Sequence, residues 1–191
     1  NKYITSSLES DGIRLIDNPC QAKKGETVII RAHGVPEYVY DELKNIGAEV
    51  CDATCPFVKK IHKIVSENSS DEVTVLIAGD PKHPEVVGIK GYCKGRVFVF
   101  NNSNEIEEML KNSPELFENR IIVVSQTTFS QKEWKICKEK IKIYCTNAIF
   151  FDTICSATRK RQDEAAELSK KCDMMIIIGG RHSSNTVKLF S

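Results

Sequence analysis

Several features are missing from this chain, and each absence excludes a class of protein. Its longest uninterrupted apolar run, Met174-Met175-Ile176-Ile177-Ile178, is only a fraction of what a bilayer-spanning helix needs. No charged n-region followed by an apolar h-region opens the sequence, so it carries no pattern of secretion. Formal net charge is +1, aromatics are 7% of residues, and no long basic run with interleaved aromatics occurs; nucleic acid is a poor partner. There is no Gly/Ser-rich linker, no low-complexity tract and no strong internal repeat. The sequence therefore reads as a soluble protein of the cytoplasm, or of a plastid in a plastid-bearing organism. Without export, the glycosylation patterns Asn68-Ser69-Ser70 and Asn101-Asn102-Ser103 carry no weight.

Cysteine is plentiful, yet the C-x-x-C pair is absent. The eight cysteines (20, 51, 55, 93, 137, 145, 155 and 172) are scattered, and without a secretion signal they argue against a disulfide framework. Cys51 and Cys55 form the only close pair, a weak metal spacing. Cys137, Cys145 and Cys172 lie in amphipathic or apolar stretches that predict packing.

The chain has 191 residues, 41% apolar and 28% charged, enough for one domain or parts of two or three. Strand patterns at 27–31, 49–51, 73–78, 96–100, 120–125, 148–151 and 173–178 alternate with helical patterns at 37–46, 56–67, 84–91, 103–110, 131–144, 157–171 and 185–190. Ser130-Gln131-Lys132-Glu133 has capping-box spacing. Regular alternation with continuous Val/Ile strands predicts an α/β fold of parallel sheets flanked by helices. The chain opens on Asn1 rather than Met and closes shortly after an apolar strand pattern, so it reads as an internal segment of something longer.

Polar residues cluster after the strands and before the next helices. The clusters are 31–34 (Arg-Ala-His-Gly), 52–56 (Asp-Ala-Thr-Cys-Pro), 79–85 (Gly-Asp-Pro-Lys-His-Pro-Glu), 125–128 (Ser-Gln-Thr-Thr), 152–158 (Asp-Thr-Ile-Cys-Ser-Ala-Thr) and 179–185 (Gly-Gly-Arg-His-Ser-Ser-Asn). In parallel α/β sheets, ligands bind beyond the carboxyl ends of the strands, where helix N-termini present N–H groups. One convergent site for a small anion follows. Helix capping accounts for many of the Ser, Thr, Asn and Asp residues, but not for His33, His83, Glu85 or the two cysteines.

The chemistry of these clusters is specific to residue type. Cys55 falls at a strand-to-helix turn before Pro56, beside the positive end of a helix dipole that favours a thiolate. Cys155 sits in an equivalent turn. Thiolates from separate turns suit an iron–sulfur cluster, although two are too few to hold one. His83 and Glu85 form a proton-delivery pair within one turn, or a structural one. His33, with Gly34 allowing close backbone approach, suits phosphate, as do Ser183, Ser184 and Asn185 at a helix start. His62 lies mid-helix on what reads as a solvated face, and His182 carries little information.

Taken in order, Arg31-Ala32-His33-Gly34-Val35, Asp52-Ala53-Thr54-Cys55-Pro56, His83-Pro84-Glu85-Val86, Gln126-Thr127-Thr128-Phe129-Ser130, Thr153-Ile154-Cys155-Ser156-Ala157-Thr158 with Arg161-Gln162, and Ser183-Ser184-Asn185 resemble the 4-hydroxy-3-methylbut-2-enyl diphosphate reductase family (IspH, or LytB). The resemblance implies three α/β lobes around a 4Fe–4S cluster held by three cysteines, two of them Cys55 and Cys155. It implies reductive dehydroxylation of the allylic alcohol diphosphate to isopentenyl and dimethylallyl diphosphate, the last step of the non-mevalonate isoprenoid route. Glu85 would supply protons, with His83 beside it and Thr127 near the substrate hydroxyl. His33, His83, Ser183, Ser184 and Asn185 would hold the diphosphate, and Gln126 would orient the network. Ferredoxin or flavodoxin would donate electrons.

The family's first cluster cysteine, a His-Asn pair and a C-terminal serine have no counterpart in these residues. In the family's terms, residues 1–54 are a partial first lobe, 55–154 a complete second lobe and 155–191 the start of a third. On this reading the segment alone is inactive. Two other readings stand beside it: an α/β module that binds a phosphorylated metabolite without redox chemistry, and a cysteine enzyme using Cys55 or Cys155 as nucleophile. No histidine adjoins either cysteine in sequence, which disfavours the last.

Overall fold

The computed structural model describes residues 2–113, 120–181 and 183–190; His182, in the last polar cluster, lies outside them. The elements run α1 (Lys2–Ser10), a 3-10 turn (Pro19–Gln21), β1 (Thr27–Ile30), α2 (Glu37–Ile46), β2 (Glu49–Asp52), α3 (Pro56–Asn68), β3 (Val73–Ala78) and α4 (Pro84–Lys90). They continue with β4 (Arg96–Phe100), α5 (Ser103–Asn112), β5 (Arg120–Ser125), α6 (Gln131–Tyr144), β6 (Ala148–Phe150), α7 (Ser156–Ser169) and α8 (Ser184–Phe190).

Every strand pairing among the described residues is parallel. β1 and β2 form a two-stranded sheet, and β4-β3-β5-β6 form a four-stranded one in that order. The central strands β3 and β5 are Val/Ile-rich because both of their faces are covered. Leu76, Ala78, Ile121 and Val123 pack with Ile106, Leu110, Trp134, Cys137 and Ile141 of α5 and α6. Val73, Val75, Ile77, Ile122 and Val124 face the other way, against Ile61 and Val65 of α3 and Val86 and Ile89 of α4. Neighbouring residues point to opposite faces, so one continuous apolar run feeds two cores. The smaller sheet has a slighter core of Ala22, Ile30, Val39 and Leu43.

Local signals match local structure. Ser130 accepts the Glu133 N–H and caps α6, Asn102 caps α5, and Gly47, at φ +80°, ends α2. Helix α1 and the 3-10 turn are additions to the expected elements.

Three expectations fail. The strand expected at 173–178 does not form: these residues join no ladder, and Met174, Ile176 and Ile178 are exposed. A strand is defined by its hydrogen-bonded neighbour, and apolar composition alone cannot supply one. Cys172 is exposed rather than packed. His62 is buried, 5% exposed, because its side of α3 faces Tyr92 and α4 instead of solvent.

Candidate active site

The turns that follow β1, β2, β3, β5 and β6 carry most of the candidate residues, and hydrogen bonds join them across elements. At the centre stands Glu85, in the first turn of α4 and only 2% exposed. Its two carboxylate oxygens receive the Thr127 backbone N–H at 2.6 Å and the Thr127 hydroxyl at 2.8 Å. Burial pushes the Glu85 carboxyl up, with the two Thr127 bonds working against it. It is thus a buried acid with one hydroxyl as its neighbour.

His83 caps α4. Its Nδ1 accepts the Glu85 N–H at 3.2 Å, so the neutral ring carries its proton on Nε2. The His33 ring meets it edge-on at 5.3 Å between centroids. Both imidazoles are held below their ordinary pKa, first by burial and then by neighbouring positive charge, with Arg31 acting on each. Two neutral histidines side by side offer N–H donors to an anion.

A second chain of contacts runs toward α8. Gln126 Oε1 accepts the Asp80 N–H at 3.3 Å, and Gln126 Nε2 donates to the Thr128 hydroxyl at 2.9 Å. The Thr128 hydroxyl pairs with that of Ser184 at 2.7 Å. The Asn185 side-chain oxygen accepts from the Thr158 hydroxyl at 3.5 Å. Ser183 Oγ accepts the Thr186 N–H at 3.4 Å, a local capping contact with no link to the other candidates. Thr128 and Thr158 are the members that residue-by-residue reading did not single out. Both lie inside the quoted motifs, so their positions were legible and their contacts were not.

Cys55 and Cys155 are free thiols of intermediate burial, each the N-cap of its helix. Their backbones match closely, φ −55° and ψ 135° against φ −60° and ψ 134°. The Cys55 N–H donates to the Ala32 carbonyl, next to His33, at 3.0 Å; the Cys155 N–H donates to the Thr127 carbonyl at 2.9 Å. Asp52 pairs with Lys59 and Asp152 with Arg159, at 2.7 and 2.8 Å, across the two turns. Burial alone would raise Asp52, but bonds from Lys59 and Thr54 hold it at about 2.

The donor chemistry of these turns fits part of an iron–sulfur ligand set. Soft thiols at helix N-termini suit anionic ligation. By contrast, burial pushes Cys137 and Cys93 up to about 12 and Cys145 to about 11, which suits inert packing. Among the described residues, no three His, Cys, Asp or Glu side chains gather where they could hold a metal, so the two thiols have no third ligand there. Cys51 is exposed and joins no such group.

The comparison with protein families decides the membership. The family described as LytB protein matches residues 1–191. The chain belongs to the LytB family. A 4-hydroxy-3-methylbut-2-enyl diphosphate reductase of Thermoanaerobacter sp. (strain X514) is 45% identical over 191 residues, covering 99% of this chain and 64% of that protein. The reductase of Clostridioides difficile (strain 630) is 40% identical, with 99% and 66% covered. This LytB segment thus spans about two thirds of the curated relatives it matches.

Solved LytB-type structures agree. The E-1-hydroxy-2-methyl-but-2-enyl-4-diphosphate reductase from Plasmodium falciparum superposes at TM-score 0.84 and 27% identity, covering 99% of this chain and 59% of that one. A second structure, of an (E)-4-hydroxy-3-methyl-but-2-enyl diphosphate reductase, the terminal enzyme of the non-mevalonate pathway, gives TM-score 0.69 and 35% identity, with 100% of this chain and 66% of that one covered. No helix among the described residues of this LytB chain is long and apolar enough to cross a membrane.

Proposed function

We propose that the complete protein bearing this segment reductively removes the hydroxyl of 4-hydroxy-3-methylbut-2-enyl diphosphate, giving isopentenyl and dimethylallyl diphosphate. The allylic C–O bond breaks, two electrons and two protons enter, one proton remains on carbon, and water leaves. The observation that carries this reading is the buried Glu85 bonded through both oxygens to Thr127, whose carbonyl receives the Cys155 N–H. A proton donor and a thiol turn are thereby one connected unit.

Cys55 and Cys155 would hold two corners of a 4Fe–4S cluster. When bound, the cluster supplies a Lewis-acid iron and the electrons. Everything else falls to the chain. Glu85, kept protonated more readily by burial, reverses the bond it accepts from the Thr127 hydroxyl and passes its proton there, while Thr127 gives its own hydroxyl proton to the substrate oxygen. His83 donates through Nε2 to the diphosphate, and His33 binds from the adjoining turn. Ser183, Ser184 and Asn185 take further phosphate oxygens, with Thr128 and Gln126 fixing Ser184 in place. Neutral imidazoles, hydroxyls and an amide bind the anion by hydrogen bonds and leave the carboxyl its proton. The same reading divides the chain into lobes at 1–54, 55–154 and 155–191. A small redox protein such as ferredoxin or flavodoxin would deliver electrons.

The test is anaerobic reconstitution of the complete protein with iron and sulfide, an iron count, and turnover of the diphosphate with a reducing dye. A brown, turning-over enzyme is the expected outcome. A colourless protein that binds diphosphate without reducing the substrate would replace this reading with that of a phosphorylated-metabolite-binding module.

A further inference from the structure

His62 stands out among the buried polar residues, because the chemistry above makes no use of it. It lies in the middle of α3, 5% exposed, with Nε2 lacking any hydrogen-bond partner among the described residues. A buried nitrogen left unpaired costs on the order of 1–3 kcal/mol, and an apolar residue of similar shape would avoid that cost. Burial holds the ring neutral, at a pKa of about 4.

Its surroundings connect it to the site. One ring face stacks on Tyr92 at 4.2 Å between centroids and 19° between planes. Its edge enters a slot between two glycines. A Cβ on Gly34 would sit 2.7 Å from Cε1 and 3.4 Å from Nε2, and one on Gly88 would sit 3.3 Å from Nε2. Gly34 also has φ +71°, which L side chains rarely adopt, and its N–H closes the turn onto the Arg31 carbonyl at 2.9 Å. The same Gly88 Cβ position would be 3.6 Å from the His33 carbonyl oxygen and 3.7 Å from the Gly34 carbonyl carbon. Nε2 and the His33–Gly34 peptide therefore face the same small gap. Gly88 belongs to α4, which carries His83 and Glu85 at its start. The ring thus touches three things at once: the helix that follows Cys55, the turn that carries His33, and the helix that carries the acid.

We propose that His62 is a positioning residue for diphosphate binding, acting through its Nε2 on the His33–Gly34 turn. The ring gives that turn a fixed floor, and Nε2 engages the turn backbone as His33 closes on the anion. This inference rests on the diphosphate reading of His33 and His83.

The experiment compares His62→Phe with His62→Gln in the complete, cluster-loaded protein, using inorganic diphosphate as the probe. The readouts are the diphosphate dissociation constant and the His33 ring proton signal. Phe keeps the flat ring and the stack but removes Nε2; Gln places an amide nitrogen near the same point and loses the ring. If Nε2 matters, Phe weakens diphosphate binding ~10-fold, as expected for one lost hydrogen bond, while Gln stays within ~3-fold of the parent. A role in packing alone predicts the reverse order, since a buried amide packs worse than a phenyl ring. Phe binding as tightly as the parent, or Gln as poorly as Phe, overturns the proposal.

If the parent itself binds no diphosphate, the functional reading fails; if the parent binds diphosphate and the Phe variant binds it equally well with an unmoved His33 signal, the functional reading stands and the His62 proposal alone fails. Should Phe fail to fold, Tyr92→Leu releases the stacked ring instead. A shifted His33 signal with weakened diphosphate binding supports the proposal, and an unmoved signal ends it.

Discussion

The two thiol turns are built alike and anchored differently. In each, an aspartate ends or follows a strand, a cysteine caps a helix, and a cation one turn into that helix pairs back to the aspartate. Beyond the turn the resemblance stops. α3 buries Val58, Ile61, His62 and Val65, with Ile61 and Val65 in the core that it shares with α4 on one face of the four-stranded sheet, whereas α7 buries Thr158 alone. α7 is held among the described residues largely by polar contacts: Gln131 to Gln162, Arg159 and Asp163, Gln162 to the Phe129 carbonyl, and Thr158 to Asn185 of α8, which lies against it. On the helix side Cys55 is set mainly by packing and Cys155 mainly by hydrogen bonds and one ion pair, while on the strand side Ile154, just before Cys155, is buried in the core. The same thiol geometry can rest on nondirectional burial or on directional polar contacts, and only the first contributes much to stability.

Glu85 is where the two arrangements meet, since α4 packs beside α3 while its carboxylate bonds Thr127, which receives the Cys155 N–H. The largest effect is expected there. Glu85→Gln should lower turnover in the complete protein by ~10²–10⁴-fold, the usual worth of a positioned acid. Stability should move the other way. Because burial raises the folded pKa of Glu85, the folded state favours the protonated form, and the ionised group is a burden at neutral pH. The uncharged Gln should therefore raise the melting temperature at pH 7 to 8, with the gain shrinking as pH falls. Turnover and thermal melts measured across pH check both signs.

The anchoring contrast is tested directly by truncating one apolar residue on each helix. Ile61→Ala in α3 should cost ~2–5 kcal/mol in urea unfolding, the range for a fully buried aliphatic side chain. Leu168→Ala in α7, where the side chain is 53% exposed, should cost under ~0.5 kcal/mol. Equal losses would mean that α7 is packed after all.

Acid should separate the helices as well. His62 stays neutral in the fold down to about pH 4, while in the unfolded chain it protonates near its ordinary value. Its lowered folded pKa therefore leaves stability intact above about 6.5 and erodes it as pH falls toward 4, by up to about 1.4 kcal/mol per pH unit. Amide exchange in α3 should accelerate over that window more than in α7, which buries no titratable base. His62→Phe should flatten the difference.

How far the sequence alone reached follows the same division. Strand alternation, helix caps and the two thiol turns were legible because their signals are local: Val/Ile runs, Ser130 before α6, Pro56 after Cys55. The family resemblance came from six short motifs in fixed order, and those motifs carry every site residue named. What was not legible depends on partners distant in the chain. Residues 173–178 have the composition of a strand but no ladder to join. His62 is expected on a solvated face, yet Val58, Ile61, His62 and Val65 stand at i, i+3, i+4 and i+7, so helical spacing itself puts it on the apolar side; what the sequence does not show is that Tyr92, Gly34 and Gly88 come against it there. The bonds from Glu85 to Thr127 and from Thr128 to Ser184 span different elements in the same way.

The smallest expected effect bears most closely on the thiols. Asp52→Asn and Asp152→Asn each remove one half-exposed ion pair, worth ~0.2–1 kcal/mol to the whole fold. Global unfolding should hardly distinguish them. Local opening should, because Lys59 sits on a helix pinned by Ile61 and Val65, whereas Arg159 sits where burial contributes almost nothing. Hydrogen exchange at the Cys155 and Arg159 amides, which bond the Thr127 and Cys155 carbonyls, should quicken several-fold in Asp152→Asn. The Cys55 and Lys59 amides, in the matching bonds to the Ala32 and Cys55 carbonyls, should change little in Asp52→Asn. If both pairs of amides respond equally, the ion pair is the common anchor of the two turns and the packing of α3 adds nothing to the placement of its thiol. If only the Cys155 turn opens, a weak surface ion pair is what fixes one of the two thiols.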